Sequence, residues 1–461
     1  MTSEGLVTTV NEGKYGMAVR RMWACATFLI LHSSLFMTPV CAQEDKDNQL
    51  NVEFELLTQG EIRDGGVVSN SEWEKEKPED RTNFVIERSR FIVTYLNKSQ
   101  LLELRFVPQH QGVWGQSGKG SFNIYEGWGK LSAKCGLFAQ IGRQALSYDD
   151  ERIIGPNDWS MAGISHDVLK LGYEGKGHQV HLVLAYNQNA ETIETGGTYY
   201  TNGAQPYKTM HTLWYHYDVP KFPFGASFLL MNLGMQGGED GSERRTRYQQ
   251  LFGTYLTFTP KYGTFEGSYY RQTGKEEHGM DMDAWMASIK AEWKPTERWS
   301  LDAGFDYLSG DKYFAVPHPG QSGLTRHTKM QGFCPVYGSH HKFYGSMDFF
   351  YISTYVNGFS PGLQNAFFGG SITPIKDLTF KAHYHYMATA TKLSSIDMTL
   401  GHVVELEASF KLRKDAELSA GFSYMTGTES MERLKRASDD GSLRWGWLSL
   451  KINPTLFTSK W

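Results

Sequence analysis

The sequence predicts an all-β fold, a transmembrane antiparallel up-and-down β-barrel of about 18 strands, and three observations lead there. Period-two hydrophobic alternation runs through the chain from residue 50 onward, aromatic residues are abundant, and beyond the first fifty residues no uninterrupted apolar stretch is long enough to be a spanning helix. Every backbone polar group inside a bilayer must be bonded within the protein, so a chain without a spanning helix crosses only as a closed barrel.

The chain has 461 residues, which would suit two or three soluble domains, yet no composition shift marks a boundary after the first fifty. One large unit, 43–461, is therefore expected. Aromatics make up 14%, with 25 Tyr, 27 Phe and 12 Trp. Short strands spend apolar content this way when Tyr and Trp must stand at a lipid interface, one end in hydrocarbon and the other among headgroups. The formal net charge of -4 offers no basic face for displacing counterions, which sets nucleic acid aside as a partner.

At the N-terminus, Arg20 and Arg21 precede the apolar run Trp23 to Leu31, and Val40-Cys41-Ala42 places small residues where a signal peptidase reads. Residues 1–42 are expected to be a signal peptide cleaved after Ala42, with Met17 or Met22 as alternative starts. The run is broken by His32, Ser33 and Ser34 and falls short of about 30 Å of hydrocarbon. After cleavage Cys135 and Cys334 remain, far apart in sequence, and isolated thiols are expected rather than a disulfide.

Individual strands follow from the alternation. In Leu101 to Val107, Leu102, Leu104 and Phe106 share one face and Glu103 and Arg105 the other. Val180, Leu182, Leu184 and Tyr186 oppose His181. Trp285, Ala287, Ile289, Ala291 and Trp293 form an apolar stripe with Trp at both ends, opposite Ser288, Lys290 and Glu292. The pattern continues in Trp299 to Tyr307 against Asp302 and Asp306, in Phe380 to Tyr386 against Lys381, His383 and His385, and in Val404 to Leu412 against Glu405, Glu407 and Lys411. Leu102, Leu182 and Ile289 are thus expected on the lipid face, and Arg105, His181 and Lys290 in the lumen. A soluble β-sandwich alternates too, but the signal segment, the aromatic strand ends and the number of strands favour the membrane barrel.

Connections fall into the two classes that outer-membrane barrels show. Thr259-Pro260-Lys261-Tyr262 reads as a short periplasmic turn, whereas Gly65 to Thr82, Glu191 to Tyr207, Gly237 to Arg245 and Asp311 to Ser339 read as long external loops. The chain ends in Leu456-Phe457-Thr458-Ser459-Lys460-Trp461, an aromatic-terminated strand of the kind the outer-membrane assembly machinery reads. That machinery and outer-membrane lipid are expected partners, and the bacterial outer membrane is the expected location.

The segment from Gly142-Arg143-Gln144 through Tyr148-Asp149-Asp150-Glu151-Arg152 to Gly155, followed by Asp158-Trp159 and Asp167-Val168-Leu169-Lys170-Leu171, resembles the signature of the alginate export family of outer-membrane barrels. Gly362-Leu363-Gln364-Asn365 through Pro374 to Tyr384-His385-Tyr386 resembles the family's late hairpin. Where members often carry an Arg and an aromatic before the matching Asp, this chain has Ile164 and His166. The resemblance implies an eighteen-stranded barrel with a charged constriction through which an acidic polysaccharide leaves the periplasm.

The residues support a passive channel for polar or anionic saccharides on their own terms. Arg143, Asp149, Asp150, Glu151 and Arg152 are too many charges for a lipid face, where a mid-bilayer Arg costs about 2–4 kcal/mol. They are expected in the lumen or in a loop folded into it. There, Arg forks would meet solute carboxylates, or else be neutralised in a salt-bridge lattice. The expected solute path comprises Arg105, Arg143, Asp149, Asp150, Glu151, Arg152, Lys170, Lys290, His383 and His385. If Arg143 and Arg152 line it, with Arg105 and Lys170 nearby, anions should be preferred. His383 and His385 share a face without accompanying Cys, so no metal site is expected. No nucleotide loop or nucleophile elbow appears, so neither a cofactor nor an enzymatic role is expected. A surface-binding barrel acting through its loops is the alternative, with an outer-membrane hydrolase behind it.

Overall fold

Alternating side chains and a hydrogen-bond ladder that must close on itself give one sheet of twenty strands in the unit Asp47–Trp461 of the computed structural model. The structure describes residues 47–65, 81–116, 120–188, 207–236, 245–276, 279–311, 329–348, 350, 360–392, 397–435 and 442–461. The expected signal segment lies outside the described residues. Among the described residues, no helix is long and apolar enough to cross a membrane.

The first seven strands are β1 (Gln49–Asp64), β2 (Thr82–Leu96), β3 (Leu102–Val113), β4 (Ser121–Ser132), β5 (Leu137–Gln144), β6 (His166–Gly175) and β7 (His178–Tyr186). The next are β8 (Thr209–Asp218), β9 (Phe224–Gln236), β10 (Thr246–Phe258), β11 (Gly263–Lys275), β12 (Asp281–Thr296) and β13 (Trp299–Leu308). After the two-residue β14 (Lys329–Met330) come β15 (Leu363–Ile375), β16 (Leu378–Ala388), β17 (Thr399–Arg413), β18 (Ala416–Gly427), β19 (Ser442–Ile452) and β20 (Thr455–Lys460). Because β14 belongs to a loop and β19 and β20 are successive halves of one strand, eighteen strands build the wall. Each pairs antiparallel with the next, β13 pairs with β15 across the long connection, and β1 closes the barrel against β19 and β20. The backbones of Asn48 and Trp461 exchange two hydrogen bonds at that seam.

All connections at one end are short. Lys176 and Gly177 join β6 to β7 with φ of 54° and 82°, the two positive values that a two-residue hairpin turn requires. The Thr259–Tyr262 turn joins β10 to β11 at the same end, and the longer connections gather at the other. Cys135 and Cys334 are free, one in the turn after β4 and the other in the long connection between β14 and β15.

The outer face is apolar. Ile141 and Ile289 are each 65% exposed, and Leu104, Phe106, Leu182, Leu301 and Leu448 join them. So wide an apolar surface would drive aggregation in water and is stable against hydrocarbon. The inner face is apolar as well over part of its area. Leu146, Ile153 and Ile154 from the β5–β6 connection, with Phe333 and Tyr337 from the connection after β14, bury themselves against Met210, Leu229, Met231, Leu233 and Met286 on the wall. Part of the lumen is therefore filled by an apolar core that seats two inward-folded loops.

Candidate permeation site

The β5–β6 connection turns into the lumen because β5 is only 8 residues long and leaves the wall early. Its tip is a tight turn in which the Glu151 amide donates to the Tyr148 carbonyl at 2.9 Å, with Asp149 at φ 55° and Glu151 at φ 67°. Two non-glycine residues in the left-handed region cost backbone energy, which the surroundings must offset. The Asp149 carboxylate accepts from Trp214 Nε1 at 3.0 Å and from the Tyr270 hydroxyl at 3.2 Å. The burial that these bonds accompany pushes its pKa up. Tyr148 stacks obliquely on Trp214 and bonds His181 at 3.2 Å.

Arg152 locks this turn. It is buried, and its guanidinium reaches Asp150 at 3.1 Å, Asp306 at 3.0 Å, the Tyr344 hydroxyl at 2.9 Å and Ser288 at 3.1 Å, with Phe343 stacked over it at 4.0 Å. One side chain thus joins the first loop, the second loop and the wall. The two loops also share a short parallel ladder: Tyr337 donates to the Ile153 carbonyl at 3.0 Å, Gly155 to the Tyr337 carbonyl at 2.8 Å, and Ser339 to the Glu151 carbonyl at 2.8 Å. Glycine permits this approach, since a Cβ on Gly338 would lie 2.2 Å from the Arg152 carbonyl. Lys342 closes the junction on Glu151 at 2.5 Å. Farther along, Trp159 stacks on His341 with centroids 3.9 Å apart, against Trp445 and Trp447 of β19.

The return leg of the first loop is pinned to the wall by two buried arginines. Arg88 bonds Glu55 at 2.8 Å and the Asp158 and Ser160 carbonyls, while Arg90 bonds Asp158 at 2.6 Å and Gln109 at 2.7 Å and lies over Tyr125.

Between the second loop and the β10–β17 wall lies a cavity of about 390 Å³. Its lining carries five carboxylates, Asp150, Glu266, Asp302, Asp306 and Glu405, against three cations, Arg152, Lys290 and Lys342. His383 contacts Asp302 at 3.1 Å, and His385 contacts Glu405 at 3.6 Å and Asn365 at 2.9 Å. Lys290 stands 3.8 Å from Glu266.

The residues expected to line the path therefore separate. Asp150, Arg152, Lys290, His383 and His385 meet at the cavity, with Glu151 beside it. Arg105 faces inward but is held by Glu126 at 2.7 Å. Asp149 is buried behind the turn, away from the cavity lining. Arg143 is a correction: alternation from Leu137 and Ile141 carries it onto the outer face near the long-loop end, where it pairs with Asp167 at 2.7 Å and 2.9 Å. A bidentate partner directly across the β5–β6 register neutralises it, so a charge at the edge of the lipid face needs no lumen.

Lys170 faces inward at the β4–β6 wall, and beside it stands Lys130, which the sequence reading passed over. Both pair in register with Gln140, and both amines lie over the Phe138 ring, at 4.3 Å for Lys130 and 5.8 Å for Lys170. Among the described residues, neither has a carboxylate within 4.0 Å. Arg88 and Arg90 were missed as well, although two arginines spaced by two beside Phe91 and Val93 already mark an inward charged face.

A closed antiparallel barrel of eighteen strands is the fold of Gram-negative outer-membrane porins of the Occ/OprD kind. Two solved Pseudomonas aeruginosa structures share it at TM-scores of 0.60 and 0.58: OccK11 (OpdR), 11% identical over 91% of this chain and 100% of that one, and OccK2 (OpdF) in complex with glucuronate, 10% identical over 88% and 98%. Acinetobacter baumannii OccAB1 follows at 0.57, with 12% identity over 88% of this chain and 97% of its own. No family model and no curated protein matches the sequence. The alginate export assignment is accordingly unsupported, while the outer-membrane barrel it implied stands.

Proposed function

We propose that this protein is a passive, non-enzymatic outer-membrane channel for small polar solutes that carry a carboxylate, sugar acids foremost, and that residues 1–42 are its cleaved export signal. The observation that carries the reading is the pair Lys130 and Lys170, two inward cations that, among the described residues, have no carboxylate within 4.0 Å. In a narrow passage local charge governs which ion enters, whatever the net charge of the chain. A cavity of about 390 Å³ is of the size that holds one small molecule, which favours a monosaccharide-sized solute over a polymer. The glucuronate bound by the structurally similar OccK2 is a solute of this class.

Reconstitution in planar bilayers tests it. Under a salt gradient the channel should prefer anions, and glucuronate should interrupt the current more than neutral glucose does. In the Lys130→Gln, Lys170→Gln variant the reversal potential should move toward cations and the difference between the sugars should shrink. Cation preference in the wild type would point instead to the acid-rich cavity as the selective element, and the proposal would fall.

A further inference from the structure

The lipid-facing side of β11 and β12 carries, in one column, an apolar band and then a charged cap. Outward residues run from Phe265 and Trp293 at the short-turn end, through Ile289 and Tyr269, to the register partners Arg271 and Trp285, and then to Asp283, Lys275 and Asp281. Tyr269, Trp285 and Tyr307 stack side by side at the upper edge of the band. With a rise of about 3.3 Å per residue and a strand tilt of about 40°, Asp283 stands about 25 Å above Trp293 along the membrane normal, the height of a barrel's apolar belt. The charges therefore sit where headgroups begin.

The cap carries more cation than anion. Arg271 and the loop residue Lys329 both bind Asp283 at 2.7 Å, and Lys275 binds Asp281 at 2.7 Å. Arg271 spends one nitrogen, Nη2, on that bond, and Lys329 is half-exposed. The shared Asp283 carboxylate fixes Arg271 and Lys329 in place while both side chains stay half-exposed.

We infer that Arg271 and Lys329 hold the phosphorylated headgroup of an outer-leaflet lipid, whose acyl chains lie on Tyr269, Trp285 and Ile289. Continuity with the lipid belt is what selects a lipid over a soluble partner. The inference rests on the outer-membrane reading but not on the solute reading.

Native mass spectrometry of the purified barrel, in neutral detergent with added lipid A or its dephosphorylated form, tests it. The wild type should retain the phosphorylated lipid preferentially. Arg271→Gln with Lys329→Gln should weaken retention about thirty-fold, about five-fold for each cation lost beside an anionic lipid surface, and millimolar inorganic phosphate should not displace the lipid. Lys329→Gln alone alters no wall strand, so it supplies the readout if the double variant loses heat-modifiable migration. Equal retention of the two lipids, retention unchanged by the single substitution, or displacement by inorganic phosphate would each overturn the site. A wild-type protein missing from the outer-membrane fraction would instead overturn the location on which the site depends.

Discussion

The two sides of the lumen treat their cations in opposite ways. On the loop side, the Arg152 fork is taken up by Asp150, Asp306, Ser288 and Tyr344, and Arg88 and Arg90 are spent pinning the loop's return leg. At the β4–β6 wall, Lys130 and Lys170 stand over Phe138 with no carboxylate in contact. A planar five-donor group suits the joining of several elements, and a single mobile ammonium suits a passing anion. Counting positive residues therefore says little about what a lumen attracts; their partners decide.

The largest effect should come from Arg152→Met, which leaves Asp150 and Asp306 facing each other with no cation between them. Stranding buried carboxylates costs about 3–5 kcal/mol, enough to undock the loops, so conductance should rise and become noisy while the preference for anions persists. A shift in selectivity at unchanged conductance would show that Arg152 acts on solute and would erase the contrast. Next comes Gly338→Ala, whose methyl would press on the Arg152 carbonyl. Overpacking of this kind costs about 1–3 kcal/mol, and open-channel current noise should grow as the second loop loosens.

A smaller effect concerns Asp149, whose raised pKa means that the docked turn binds a proton more tightly than the undocked one. Its stabilising contribution is complete below about pH 4 and is lost as pH rises through the elevated value. Loop-closure noise recorded against pH should grow over that range in the wild type and stay level in Asp149→Asn. Smallest of all, Arg143→Gln removes an exposed pair worth about 0–1 kcal/mol. It should leave both conductance and reversal potential unchanged, and a change in either would return Arg143 to the solute path.

Alternation made the wall legible. The strands read at Trp285–Trp293, Trp299–Tyr307 and Val404–Leu412 fall inside β12, β13 and β17, and Leu182 and Ile289 face outward while His181 and Lys290 face inward. It is silent at Phe228–Met231 of β9, where both faces are apolar because one meets lipid and the other meets the loop core. The misplaced Arg143 came from treating a charged motif as one unit, when the strand parity set by Ile141 already separated it from the turn that follows. Contacts such as Trp159 on His341 or Arg152 on Tyr344 join residues nearly two hundred positions apart and leave no local trace.

The ladder between Ile153 and Tyr337 also imposes an order in time. Its two edges leave the wall after β5 and after β13, and the surface on which they dock is the wall built between them. Contacts of such long sequence separation form late, because the intervening chain must be placed before they return any energy. Closure of the wall is therefore expected to precede docking of the two loops, which makes their seating the last step of assembly.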